Sequence, residues 1–207
     1  MATTPPRRSV MTLFTSPECP YSHRVRMVLA EKDIAHEVET VDPDNLPDEV
    51  VELNPYREVP LLLDRELVLY ESMVIMEYLD ERFPHPPLMP VDPVSRAMKR
   101  LTIARVQRDW YGLIADLESS DDKIATRARK AMRDSLTDSA EAFGISQFFM
   151  SEEITMADCL IAPLLWRLPK WGVKLPTSAA PIAEYATRIF NTKAFRRSLT
   201  EAERELR

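Results

Sequence analysis

The 207-residue chain has few of the residues that mark several large classes of binding protein. It contains only three glycines, which excludes a glycine-rich loop for the phosphates of a nucleotide. It contains two cysteines, Cys19 and Cys159, which lie far apart in sequence. A disulfide framework is therefore not expected, and a reducing cytoplasm is the predicted compartment.

Long apolar runs and an excess of positive charge are also missing. The longest apolar stretch, Cys159 to Trp166, is interrupted by Pro163 and falls short of the roughly 18 residues that a membrane helix needs. The net charge of −6 disfavours direct binding to nucleic acid, which depends on Lys and Arg to neutralise phosphates. We therefore expect neither a membrane nor nucleic acid as a direct partner, so that any role near DNA would go through another protein.

What is present is the composition of an ordinary globular protein, 45% hydrophobic and 29% charged, with a length that allows two domains. Periodicity and turn residues predict an opening series of short elements. These are a strand at Val10 to Phe14, a helix at Pro20 to Lys32, a strand at His36 to Val41, a short helix at Asp48 to Leu53, strands at Pro60 to Leu63 and Leu67 to Leu69, and a helix at Glu71 to Phe83. This order is typical of a thioredoxin-like α/β domain, predicted over residues 9–83.

A proline-rich segment follows that domain. Pro84 ends the preceding helix because it disfavours helical geometry at Phe83. Residues 84–92 are therefore predicted to be an interdomain linker. Beyond it the signals for strands stop, and helical spacing continues to the end of the chain. The second domain, residues 93–207, is predicted to be all-α.

The strongest chemical signal in the chain is Cys19. Pro20 suits the first position of a helix, which makes Cys19 the predicted N-cap. A thiol there faces free backbone N–H groups and the positive end of the helix dipole, and both favour a nucleophilic thiolate. Glu18 opposes this effect. The alternative is an N-cap residue without chemistry, since the resolving partner of a Cys-x-x-Cys motif is absent.

Taken in order, the strand, the Cys-Pro helix, the Val59-Pro60 pair, the Glu71-Ser72 pair and the helical domain resemble the glutathione S-transferase superfamily over nearly the whole chain. Residues 16–22 are similar to the active-site turn of its cysteine-bearing members. Residues 155–158 are similar to its capping box, in which the hydroxyl and carboxylate side chains accept from each other's backbone N–H groups. The resemblance implies a thioredoxin-like domain followed by an all-α domain.

The same resemblance implies a glutathione site. Pro60 is expected to be cis, which turns the backbone N–H and C=O of Val59 toward an added extended peptide. Ser72 would meet the carboxylate and Glu71 the ammonium of a γ-glutamyl group. Alternatively, Glu71 and Ser72 simply start a helix.

Glu58 departs from the transferase pattern, which commonly places a cation or an amide just before the Val-Pro pair. A carboxylate there would face the glycyl carboxylate of glutathione as a like charge, at a cost of roughly 1 to 4 kcal/mol in a partly exposed cleft. We therefore expect no resident cofactor and weak or absent glutathione binding.

Three longer stretches, residues 78–91, 162–169 and 198–205, are similar to the bacterial stringent starvation protein A family. That family has the transferase fold but is regarded as a regulator that associates with RNA polymerase holoenzyme. The resemblance implies contact with polymerase and its sigma factor, a homodimer, and no enzymatic turnover. The alternatives are a cysteine-type glutathione S-transferase or glutathione-dependent thiol transferase in which Cys19 is catalytic, and a protein that keeps the fold but has only a scaffolding role.

A proline corner in the linker is the predicted partner-binding surface. It consists of Pro84, His85, Pro86 and Pro87. Prolines reduce backbone entropy, which lowers the cost of ordering the segment when a partner binds. The resemblance assigns this corner to the binding surface. The charged residues 80–82, one turn before it, are predicted to lie at its rim; the alternative is that they are simply an exposed charged helix end. The alternative is a stiff spacer that carries a solvated histidine.

Overall fold

The computed structural model describes residues 9–207, which form two compact units. The first unit contains the described residues up to Pro86 together with Lys193–Glu205. The second contains Pro87–Thr192 and Leu206–Arg207. The predicted fold class, a thioredoxin-like α/β domain with an all-α domain, is confirmed. None of the helices within residues 9–207 combines the length and the apolar character needed to cross a bilayer.

The first unit is built on a four-stranded mixed sheet. Its elements are β1 (Thr12–Thr15), α1 (Pro20–Glu31), β2 (Glu37–Thr40), α2 (Asp48–Leu53), β3 (Leu61–Asp64), β4 (Leu67–Tyr70) and α3 (Ser72–Arg82). The strand order is β2-β1-β3-β4, in which β1 and β2 are parallel and the other pairs are antiparallel. Each predicted element is present, with ends that agree to within two residues.

The central strands form the core of this unit. Leu13 and Phe14 on β1 are buried, and so are all three leucines of β3. Continuous apolar runs of this kind are typical of strands covered on both faces. Helices α1 and α3 pack against each other, so each is held by burial rather than by propensity alone.

The second unit is helical. Its helices are α4 (Pro93–Asp109), α5 (Ile114–Leu117), α6 (Asp122–Asp138), α7 (Met156–Arg167) and α8 (Ala180–Phe190). The predicted helical stretch after the linker is interrupted, because a 3₁₀ turn at Tyr111–Leu113 separates α4 from α5. The predicted capping box of α7 is present between Thr155 and Asp158.

The C-terminal segment, with α9 (Lys193–Ser198) and α10 (Glu201–Arg204), belongs to the first unit although the sequence places it with the second domain. A buried ionic cluster explains this: Glu203 accepts a hydrogen bond of 2.6 Å from the Arg26 guanidinium on α1, and neither side chain is more than 6% exposed.

The predicted linker, residues 84–92, is divided between the two units after Pro86. Leu88 is buried, and its carbonyl accepts from the Met156 N–H in the second unit.

Candidate functional site

The turn that carries Cys19 has the predicted geometry. Cys19 is the N-cap of α1 with φ −68° and ψ 122°, and Pro20 is the first helical residue. The carbonyl of Cys19 accepts the first helical hydrogen bond, from the His23 N–H at 2.9 Å. Its thiol makes no capping bond and is partly exposed. Cys19 therefore lies at the N-terminal end of α1, as the sequence predicts.

The C-terminal segment supports this turn. The Thr200 hydroxyl donates to the Pro17 carbonyl at 2.7 Å, and the Ser16 N–H donates to the Ser22 hydroxyl at 3.3 Å. The turn before Cys19 is thus fixed both from within α1 and from a segment more than 180 residues further along the chain.

The second predicted element of the glutathione site is the Val59-Pro60 pair, whose peptide bond is cis. The loop before it is held by Asn54, which donates to the Glu58 carbonyl at 2.8 Å. Glu58 itself is exposed. Among residues 9–207, no hydrogen-bond partner is found for the N–H or the C=O of Val59. Both groups remain available for an added strand.

The third predicted element lies at the start of α3. Ser72 is 3% exposed, and its hydroxyl accepts from the Arg24 guanidinium, with Nε at 2.9 Å. Glu71 is the N-cap, is exposed, and has a φ of 68°, in the left-handed region that non-glycine residues rarely adopt. Arg24 was not predicted as part of this site, because a single arginine on an amphipathic helix gives no sequence signal for a partner 48 residues away.

The topology brings these three elements to one end of the sheet. Phe14 near the end of β1 pairs with Leu61 at the start of β3, and Leu61 pairs with Tyr70 at the end of β4. The segments that carry Cys19, Val59 and Ser72 therefore all lie at the same end of the sheet. The three predicted elements of the glutathione site are thus brought to one end of the sheet, and glutathione binding there stays a prediction.

The proline corner follows the opposite end of α3. This helix has 11 residues, so the corner lies about 16 Å along the helix from Ser72. Pro84, His85, Pro86 and Pro87 are all exposed, and the His85-Pro86 bond is cis, which the sequence did not predict. The His85 imidazole makes no hydrogen bond to any part of the chain that the structure describes.

Lys32, a residue that the sequence analysis missed, lies beneath this corner. Its ammonium donates to the carbonyls of Phe83 at 2.6 Å and Pro86 at 2.7 Å, and pairs with the Asp80 carboxylate at 2.8 Å. The expectation that residues 80–82 rim the surface is wrong for Asp80, which is only 8% exposed, because it turns inward to meet Lys32. Glu81 and Arg82 are exposed.

Comparison with known proteins places the chain in a family. Residues 18–82 match the model of the glutathione S-transferase N-terminal domain. The chain is 46% identical to a stringent starvation protein A homolog of Coxiella burnetii, over 97% of each chain. It is 31% identical to glutathione S-transferase omega-2 of Rattus norvegicus, over 82% of this chain and 70% of that one.

A solved structure agrees on the fold. The rice glutathione S-transferase GST1, crystallised in complex with glutathione, superposes with a TM-score of 0.84 over 96% of each chain at 24% identity. At that identity the likeness concerns the fold only. The 46% identity to the bacterial homolog over nearly the full length shows that the chain belongs to the stringent starvation protein A family, within the glutathione S-transferase superfamily.

Proposed function

We propose that this protein is an RNA polymerase-associated transcription regulator that acts by protein–protein contact with the holoenzyme, including its sigma factor. The observation that supports this most directly is the exposure of the whole proline corner, residues 84–87, with a histidine at its tip that has no partner within residues 9–207. In this proposal the protein works in the cytoplasm as a homodimer and needs no cofactor.

The chemistry of the corner suits a protein partner. The rings of Pro84 and Pro86 offer apolar surface whose backbone is already restricted, so little entropy is lost on docking. The His85 imidazole adds one hydrogen-bond donor and one acceptor at neutral charge. The net charge of −6 complements a basic protein surface and disfavours direct DNA contact.

Substitution of the corner tests this proposal. We expect His85→Ala combined with Pro84→Ala to weaken binding to purified holoenzyme by at least about tenfold, as removal of a central contact does. The measurement is biolayer interferometry with immobilised holoenzyme, together with promoter output in vitro. Thermal unfolding should not change, because both side chains are exposed.

The matched control is His36→Ala with Pro43→Ala, which removes the same residue types from another part of the first unit. Pro43 is exposed, and the His36 imidazole lies 2.7 Å from the Ile34 carbonyl. The control should bind holoenzyme like the native chain. If the corner variant also binds normally, residues 84–87 are not the contact site.

A second candidate function, a cysteine-type glutathione S-transferase or thiol transferase, is favoured by the gathering of Cys19, Val59 and Ser72 at one edge of the sheet. One feature opposes it: Glu58 is exposed and presents negative charge next to Val59.

Calorimetry distinguishes the two functions. We expect no saturable heat when glutathione is titrated into the native chain to millimolar concentration, and saturable binding in Glu58→Gln, because that change removes the like charge. Saturable binding to the native chain, or thiol transfer that Cys19→Ala abolishes, would support the enzyme instead.

A further inference from the structure

The proline corner is fixed from the protein interior by one lysine. The side chain of Lys32 at the end of α1 is fully buried. Its ammonium has three protons and three acceptors: the carbonyl of Phe83 before the corner, the carbonyl of Pro86 at its far side, and the carboxylate of Asp80. Two of these bonds therefore bracket Pro84 and His85.

The corner has little else to hold it. Pro84 and Pro86 have no backbone N–H, and within the described residues His85 makes no hydrogen bond through its side chain. Proline fixes φ but leaves ψ free, so the direction of the His85 side chain depends on how the two flanking carbonyls are held. Lys32 holds both carbonyls.

The electrostatics also favour this contact. Phe83 is the C-cap of α3, where unpaired carbonyls and the helix dipole attract a cation. Asp80 neutralises the buried charge from the same helix, which a buried ammonium requires. Lys32 thus joins the end of α1 to the end of α3 and to the corner.

We propose that Lys32 is a positioning residue for the partner-binding surface: it holds residues 83–86 in the one conformation that presents His85 to polymerase, without touching polymerase itself. This inference rests on the proposed function for its consequence in binding. The positioning can also be measured without any partner.

The expected effect on binding follows from the population of the competent conformation. When a binding segment samples other conformations, its apparent affinity is its intrinsic affinity multiplied by the fraction of molecules in the competent conformation. If the corner of Lys32→Met is competent about one tenth of the time, binding to holoenzyme weakens about tenfold. Methionine keeps most of the apolar stem and removes the three donors.

The binding experiment uses full-length native protein, Lys32→Met and Asp80→Asn on immobilised holoenzyme. Asp80→Asn keeps the lysine but removes the charge that anchors it, and is expected to weaken binding less than Lys32→Met. The matched control is Arg129→Met, which removes a cation that holds the Trp171 carbonyl at 3.0 Å in the second unit. Normal binding by Lys32→Met, once unfolding curves show that it is folded, would overturn the inference.

A double-mutant cycle separates positioning from general destabilisation. If Lys32 acts through His85, then His85→Ala costs much less affinity in the Lys32→Met background than in the native chain. A purely structural role would give two additive losses. Additivity within about twofold therefore contradicts the inference.

A spectroscopic measurement needs no polymerase. The chain has only three histidines, so the imidazole signals of His85 can be assigned in histidine-labelled protein by comparison with His85→Ala. We expect one sharp set of signals in the native chain and broadened or multiple sets in Lys32→Met. Unchanged His85 signals would overturn the positioning role even if polymerase binds. Failure of the native chain to bind polymerase would instead reject the proposed function, while these signals still decide the role of Lys32.

Discussion

Glu203→Ala is expected to lower the free energy of unfolding by about 3 to 5 kcal/mol, because it leaves a buried guanidinium without its counter-ion. Glu203 is 0% exposed, and its Oε1 lies 2.6 Å from Arg26 Nη2 and 3.4 Å from His23 Nδ1. Arg26 is itself only 6% exposed and cannot turn to solvent without unpacking α1. Urea unfolding with linear extrapolation measures the loss.

The loss should be concentrated in the C-terminal segment. Glu203 also caps α10, since its Oε2 accepts from the Thr200 N–H at 3.0 Å. Thr200 in turn supports the Cys19 turn through its bond to the Pro17 carbonyl. We therefore expect Glu203→Ala to speed proteolysis at residues 193–207 and to raise the reactivity of Cys19 toward a thiol reagent.

Arg197→Ala is the control on the same segment. Arg197 pairs with Asp33, but both side chains are largely exposed, so only a small change in stability is expected. The hydrogen bond and charge of Arg197 lower the pKa of Asp33 below its usual value of 3.8. The stability that this ion pair contributes is therefore present above pH 3.8, and it is lost as the pH falls through the lower pKa of Asp33 in the folded state. Equal losses in Glu203→Ala and Arg197→Ala would contradict the role given to the buried cluster.

The sequence predicted those features that depend on local chemistry. Pro20 identified Cys19 as an N-cap, because a proline at the first helical position is a local preference. The period of apolar residues identified the strands and helices of the first unit. The proline run predicted an exposed corner, and residues 84–87 are exposed.

Features that depend on distant pairs could not be predicted in this way. Lys32 meets Phe83 across 51 residues, and Arg26 meets Glu203 across 177. Helical spacing shows that residues 193–204 form helices but not which unit they pack on. One contact joins a lysine to a backbone carbonyl and the other joins an arginine to a glutamate, and one sequence contains many such groups.

Asp80 differs from these residues, because the local sequence indicates that its side chain is buried. It lies four residues after Met76 and one after Leu79, both of which are buried on the inner face of α3. Helical periodicity alone therefore places it on the buried face. The three consecutive charged residues 80–82 suggested a solvated helix end. That interpretation relied on their charge and did not take the helical spacing of the buried residues into account.

Asp158→Ala is expected to lower the free energy of unfolding by about 4 kcal/mol, since it removes the acceptor of several buried donors that cannot all find another partner. Asp158 is 0% exposed. Its Oδ1 accepts from the Phe149 N–H and the Tyr185 hydroxyl, both at 2.8 Å. Its Oδ2 accepts from the N–H and the hydroxyl of Thr155, both at 2.8 Å. For a chain of this size the melting temperature should fall by roughly 10 °C.

Tyr185→Phe provides the comparison within this cluster. Burial and the neighbouring carboxylate of Asp158 raise the pKa of Tyr185 well above its usual value, so its hydroxyl stays protonated and donates throughout the working pH range. Tyr185→Phe removes that one donor and should cost about 1 to 2 kcal/mol. In the Asp158→Ala background it should cost almost nothing, because the acceptor is already gone. If both substitutions cost the same in the native chain, the carboxylate does not organise the start of α7, and the backbone N–H groups of Phe149 and Thr155 must be satisfied without it.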